Sequence, residues 1–355
     1  MNNVTVRWGR LLALLAVLVS GAQLMTACGS GDDDEGGSST GSATGSEGEA
    51  FPVTIEHKYG ETTIRQMPER IVTVGLTEQD ALLALGIVPI ATTEWFGEHP
   101  GAVFPWAADE LDALGAEPPE VMADATAVNA ESVAAQEPDL ILALYSGITE
   151  EEYDTLSAIA PTVAPPDGVV DFGVPWEDLT VTVGQAVGKA DEAQALVDDV
   201  KGQLAAAAEA HPEFAGATAV TATPYEGIYV YGPEDVRGRF LTSLGFELPP
   251  DLVEVTGEEF GGNLSEENAE MLDVDVIVWL DPDDGEGPLG GPLYATFPVH
   301  TEEREVRLSS YDQPLGAATS YVSVLSLPYL LDGVVPMLAA AIDGDPTTDV
   351  PPPPT

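Results

Sequence analysis

A two-lobed α/β fold, each lobe carrying a mainly parallel sheet and the two joined by one long helix, is what the sequence predicts. Three observations predict it: short β-branched runs alternate with helical stretches in two separate sets, a proline-free helical stretch lies between the sets, and one short unit occurs in both.

The first set opens with a strand over 70–74 (RIVTV). Thr77 then stands as a helix cap with Asp80 three residues on, and the helix runs through Leu85 until Gly86 stops it. Strands follow at 87–93 and 139–145. The second set has strands at 217–223, 228–231 and 274–280, with a helix over 237–244 closed by Gly245. Trp279 and Tyr229 fall inside these strands and are expected in the core. Between the sets, 176–210 lacks proline, and Ala195, Leu196, Val200 and Leu204 recur close to helical spacing. One long helix over 191–209, ended by Pro212, is the expectation. Just before it, GQAVGKA at 184–190 is one residue short of a phosphate loop and has Ala190 where a magnesium-binding hydroxyl belongs. It reads as the end of one helix and the start of the next.

The unit common to both sets is ESVAAQEPDLIL at 131–142 against ENAEMLDVDVIV at 267–278. Each is a short helix opening on an acid, Glu131 or Glu267, with a carboxylate eight positions later, Asp139 or Asp275, and then a buried strand. Two lobes of like construction follow from such a repeat. An acid in a first helical turn is also favoured by the helix dipole alone.

The ends read differently. Arg7 and Arg10 precede an apolar run, 11–19, too short to cross a bilayer, so 1–27 is expected to be a secretory signal. It ends in LMTAC, and Cys28, the single cysteine, stands where bacterial lipoproteins are cut and acylated. Residues 29–50 are Gly, Ser, Thr and acid and form the expected tether, making 28–50 a lipid-anchored spacer. A polar, proline-rich and disordered tail is expected over 344–355. The body divides into an N-terminal lobe, 51–175, a helical connection, 176–211, and a C-terminal lobe, 212–343.

Sixty-one acids face eleven bases, which makes nucleic acid a poor partner and favours encounters with neutral or cationic ligands. Four histidines, His57, His99, His211 and His300, lack metal-ligand spacing, so no metal site is predicted. No His-Glu-x-x-His is present, and an enzyme is not expected.

Several segments, in order and spacing, resemble the iron-siderophore, haem and vitamin B12 binding proteins of ABC importers. They are PERIVTV at 68–74, ALLALGIVP at 81–89, EPDLIL at 137–142, IAPTV at 159–163, Trp176, and LTSLGF at 241–246. The resemblance implies the helical-backbone periplasmic-binding-protein fold and a monomer that needs no cofactor. It also implies capture of a ferric siderophore between the lobes, with haem or cobalamin as the alternative cargo. Delivery would be to an ABC permease driven by a separate ATPase. In that family one glutamate on each lobe docks into arginine pockets of the permease, and Glu131 and Glu267 hold the matching positions, with Glu266 beside the second.

The cleft is expected outside the carboxyl ends of the parallel strands. That places Trp95, Phe96, Trp106 and Tyr145 on the first lobe, and Tyr225, Tyr231, Arg237 and Arg239 on the second, with Tyr311 and Tyr321 in later loops. Aromatic faces with a few cationic donors suit a bulky chelate whose iron is already wrapped by oxygens.

Overall fold

The computed structural model describes residues 50–352 apart from 125–127, 226, 258, 283–290, 310–312, 346 and 349. The predicted signal, Cys28, most of the tether and Tyr311 lie outside the described residues.

A short antiparallel hairpin, β1 (Val53–His57) and β2 (Gly60–Ile64), precedes the first lobe. The first lobe runs β3 (Ile71–Thr73), α1 (Glu78–Ala84), β4 (Ala91–Glu94), α2 (Pro105–Leu114), β5 (Glu120–Asp124), α3 (Ala130–Ala135), β6 (Leu140–Leu142), α4 (Glu150–Ser157) and β7 (Thr162–Val163). Its sheet is parallel throughout, in the order β5-β4-β3-β6-β7, with a helix in each crossover between successive strands. Two helices then join the lobes, α5 (Trp176–Ala186) and the 21-residue α6 (Ala190–Ala210).

In the second lobe the order is β8 (Ala219–Thr223), β9 (Ile228–Tyr231), α7 (Val236–Ser243), α8 (Leu252–Thr256), β10 (Gly261–Leu264) and β11 (Val276–Leu280). There follow α9 (Gly291–Tyr294), α10 (Pro298–Thr301), β12 (Glu305–Leu308), α11 (Pro314–Tyr321) and α12 (Ser326–Ile342). Its sheet reads β10-β9-β8-β11-β12, parallel from β8 to β12 but antiparallel at β9 and β10. Both sheets thus begin on a central strand and reverse direction of growth beside it, at β3/β6 and β8/β11, the kind of switch point at which open α/β sheets bind ligands.

The repeat seen in the sequence has a physical basis. Asp139, just ahead of β6, accepts the backbone N–H groups of Glu69 and Arg70 at 2.9 and 2.8 Å, and its own N–H returns to the Arg70 carbonyl at 3.0 Å. Asp275, just ahead of β11, accepts the Thr218 N–H at 2.8 Å and hydroxyl at 2.9 Å, and its N–H returns to the Thr218 carbonyl at 3.0 Å. One carboxylate staples the start of the central strand in each lobe.

The long helix is where it was expected, and its buried stripe is Ala193, Val197, Val200 and Leu204. Of the predicted stripe, Ala195 is exposed and Leu196 half-buried; the phase is set by contacts of α6 with α5, α7 and α12. That stripe belongs to one core cluster holding Leu82 of the first lobe and Val278 and Leu338 of the second. The connection is therefore packed on both sides, which stiffens it. The GQAVGKA stretch is the corner between α5 and α6, and Lys189 there donates to the Leu85 carbonyl at the end of α1 at 2.8 Å.

Three expectations change. Thr77 makes no side-chain cap bond; the Glu78 carboxylate accepts the Thr77 N–H at 3.1 Å in its place, which frees Asp80 for another use. The strand predicted from Ile87 begins at Ala91, because Pro89 carries no N–H and Ile87 donates back to the Leu82 carbonyl at 2.9 Å to finish α1. Beyond α12, Val350 packs against the main core, so the tail expected to be disordered is in part docked.

Candidate functional site

The two lobes meet through helices α1, α7 and α11 and the loops that follow β4 and β6. All three residues that open α1, Glu78, Gln79 and Asp80, are buried. Glu78 folds back over Gly75, where any β-carbon would overlap its carboxylate, and accepts the Tyr145 N–H at 2.8 Å. It thereby fixes the loop after β6. Burial raises the Glu78 pKa, and the backbone hydrogen bonds it receives oppose the rise.

Asp80 spans the lobes. Its Oδ2 accepts the Trp106 indole N–H at 2.8 Å from the first lobe and the Ser323 hydroxyl from the second. Ser323 also accepts the Ser326 N–H at 3.0 Å at the start of α12, so the carboxylate is relayed to a helix N-terminus. Burial raises the Asp80 pKa to about 6, against the lowering effect of those two donors.

Over this bridge lies an aromatic wall. Phe104 stacks on Trp106 with centroids 4.6 Å apart and 14° between planes, and Tyr321 meets Phe104 at 4.6 Å, Trp106 at 5.2 Å and Trp95 at 5.5 Å. Phe96 abuts Trp95 at 5.1 Å. Tyr321 closes α11 rather than lying in a loop, and is fully buried; Val322 after it takes φ 40°, a left-handed conformation costly for a β-branched residue. That corner delivers Tyr321 and Ser323 to the same interface.

Across from the wall, Asp235 caps α7 by accepting the Arg237 N–H at 2.8 Å, and the Arg237 guanidinium returns to Asp235 at 3.0 and 3.1 Å. Arg237 also donates to Ser320 at 2.6 Å and lies 4.1 Å from the Tyr231 ring centroid. Burial works against its charge, but Asp235 leads the opposing interactions that leave its pKa raised. Its Nε–H has no hydrogen-bond acceptor among the described residues.

The predicted residues thus separate. Trp95, Phe96 and Trp106 come together on one lobe, and Tyr231 and Arg237 on the other. Tyr145 is only 3% exposed and backs Trp95 at 6.4 Å instead of facing solvent. Arg239 is turned away: two residues along a helix from Arg237, it falls on the opposite side of α7. There it binds the Gly173 carbonyl at 2.6 Å and Glu234 at 3.0 Å, and lines a recess of about 440 Å³ with Trp176, Leu204 and Phe240. Tyr225 stands 62% exposed between β8 and β9. Trp279 is core, as expected, whereas Tyr229 is half-buried. Nothing local in the sequence marks Phe104 or Ser323 as site residues, and Asp80 reads there only as a capping acid; Asp235, a cap two residues before an arginine in DVR, carries the one local signal.

The paired glutamates occupy equal positions. Glu131 is the second residue of α3, exposed, with Asn129 capping at 3.0 Å, and Glu267 is the second residue of the short 3-10 helix Glu266–Leu272. Among the described residues no helix is long and apolar enough to cross a membrane, and no group of three His, Cys, Asp or Glu converges on a possible metal position.

A periplasmic binding protein family model matches residues 71–290. The chain belongs to that family. Among curated relatives, the probable siderophore-binding lipoprotein YfiY of Bacillus subtilis is 26% identical over 281 residues, covering 76% of this chain and 78% of YfiY. Among solved structures, a periplasmic solute binding protein of Mycobacterium smegmatis is 35% identical with a TM-score of 0.70, covering 82% of this chain and 98% of its own. Streptococcus pneumoniae PiaA in complex with ferrichrome is 27% identical with a TM-score of 0.72, covering 82% and 99%. Family membership makes the chain an extracytoplasmic solute-binding protein.

Proposed function

We propose that the protein captures a ferric siderophore between its lobes and delivers it to the permease of an ABC importer whose ATPase is a separate chain. The observation that carries the reading is the pairing of an aromatic wall, Trp95, Phe96, Trp106 and Tyr321, with a buried guanidinium, Arg237, whose Nε–H has no acceptor among the described residues. Flat apolar faces hold the organic shell of a chelate, and the guanidinium donates to its iron-binding oxygens without touching the metal. The cargo named for YfiY and the ferrichrome bound to PiaA support the same class.

Glu131 and Glu267 dock the loaded protein on the permease, one from each lobe. Cys28 carries an acyl anchor, and 29–50 is the tether that lets the body reach its partner; the lipoprotein name of YfiY supports this. The stiff, packed connection through α6 implies a largely preformed cleft, so affinity depends on static complementarity.

The test is intrinsic tryptophan fluorescence of the purified chain titrated with ferrichrome, ferric citrate, haem and cobalamin. Saturable quenching by a ferric complex at submicromolar concentration is expected, since Trp95 and Trp106 flank the site. Response to haem or cobalamin alone would overturn the siderophore reading.

A further inference from the structure

Eleven bases less Arg7 and Arg10 leave nine for the body, and every one of them is a described residue; the stretches 125–127, 226, 258, 283–290 and 310–312 contain no lysine or arginine. The supply of positive charge to the cleft can therefore be accounted for completely. Lys58 is held by Asp171 and Lys201 by Glu177, on the hairpin and on α6. Arg304 and Arg307 are tied to Glu302 and Glu305 in the second lobe. Arg70 and Lys189 donate to backbone carbonyls away from the aromatic wall, and Arg65 is exposed just after β2. Arg239 faces the recess on the far side of α7 and is paired with Glu234.

Arg237 alone remains to face the wall, and Asp235 neutralises it at 3.0 Å. On the opposite side, Glu94 ends β4 directly before Trp95, half-buried, and acts electrostatically on both Tyr321 and His99. The described cleft thus sums to zero or negative charge, inside a protein whose whole surface field is acidic.

We propose that the cleft is a charge filter, set by Asp235 and Glu94, that admits ferric complexes of zero or positive charge, the trihydroxamates, and rejects tris-catecholates. The inference rests on the siderophore reading above and specifies its substrate class. A tris-catecholate complex of Fe(III) carries three negative charges. Burying it here would strip its hydration while offering one guanidinium already paired, and like-charge contact with Glu94 adds to the cost. A neutral trihydroxamate needs only a donor for its oxygens, which the Arg237 guanidinium supplies, and a cationic one gains from Glu94.

The test is equilibrium binding, by fluorescence quenching, of ferrichrome, ferrioxamine B and ferric enterobactin to the full-length protein and to Asp235→Asn and Glu94→Gln. The native protein is expected to bind the two hydroxamates about 100-fold or more tighter than the catecholate. Each variant is expected to narrow that gap by about tenfold, because each removes one negative charge. Asn retains the cap on α7, and Glu94 lies at a half-buried strand end, so if Asp235→Asn fails to fold the second variant still decides. Equal or tighter binding of the catecholate, or a gap unchanged in a folded variant, would overturn the filter while leaving the siderophore reading intact. Binding of none of the three, nor of ferric citrate in the titration above, would overturn both.

Discussion

The two lobes share their framework and differ in what they present to one another. In both, a carboxylate at the foot of one strand staples the central strand beside it, and a glutamate opens the preceding helix at the same position. At the facing surfaces the likeness ends. Among the described residues the first lobe contributes Trp95, Phe96, Phe104 and Trp106 and no lysine or arginine; the second contributes Arg237, its partner Asp235, and a β9–β10 antiparallel edge without a counterpart in the first lobe's described sheet. The likeness lies in the architecture, and the difference in the side chains the lobes present to one another. On the proposed function, residues alike in the two halves hold the protein together or meet the permease, whereas residues unlike in the two halves meet the cargo.

The comparison breaks most visibly at the glutamates. Replacing Glu131 and Glu267 together by Ala is expected to reduce uptake of ferrichrome in cells to background while its affinity for the purified protein stays unchanged; loss of affinity would place them in the cleft instead. Next is Arg237→Ala, which strands the buried Asp235 carboxylate and is expected to cost about 3–5 kcal/mol in denaturant unfolding. Removing the staples, Asp139→Ala and Asp275→Ala, is expected to cost about 2–4 kcal/mol each, since each accepts two bonds at a strand start. A near-neutral result at one site would show that only one lobe depends on its staple.

The smallest effect concerns pH. Asp80 rises from its ordinary 3.8 to about 6 on folding, so the folded chain holds a proton that the unfolded chain releases. The stability from that proton is present in full below about pH 3.8 and is lost as pH climbs through about 6. In Asp80→Asn this contribution disappears. Across pH 4 to 7 the native protein should lose about 2 kcal/mol more than the variant in parallel urea titrations. Parallel curves would mean that Asp80 is ionised throughout.

Much of this was legible in the sequence because it is local or periodic. The strand at 228–231 and the helix α6 announce themselves through β-branched runs and a long proline-free stretch, and the paired units placed both staples. Other features depend on tertiary geometry. Arg239 looks equivalent to Arg237 in a string of letters, and only the helical turn sends it to the other side. Asp80 looks like a capping acid; its partner Ser323 lies 243 residues away, and nothing local marks that contact. Strand β10, Gly261–Leu264, is half glycine and carries no β-propensity, forming because β9 offers it an edge.

The central claim is that cargo is held between the lobes, and hydrogen–deuterium exchange of the full-length protein with and without ferrichrome tests it most directly. Added ferrichrome is expected to slow exchange in 95–107 of the first lobe and in 229–240 of the second at the same ligand concentration, leaving α3 unchanged. Protection confined to one lobe, or centred on the recess behind α7, would contradict it.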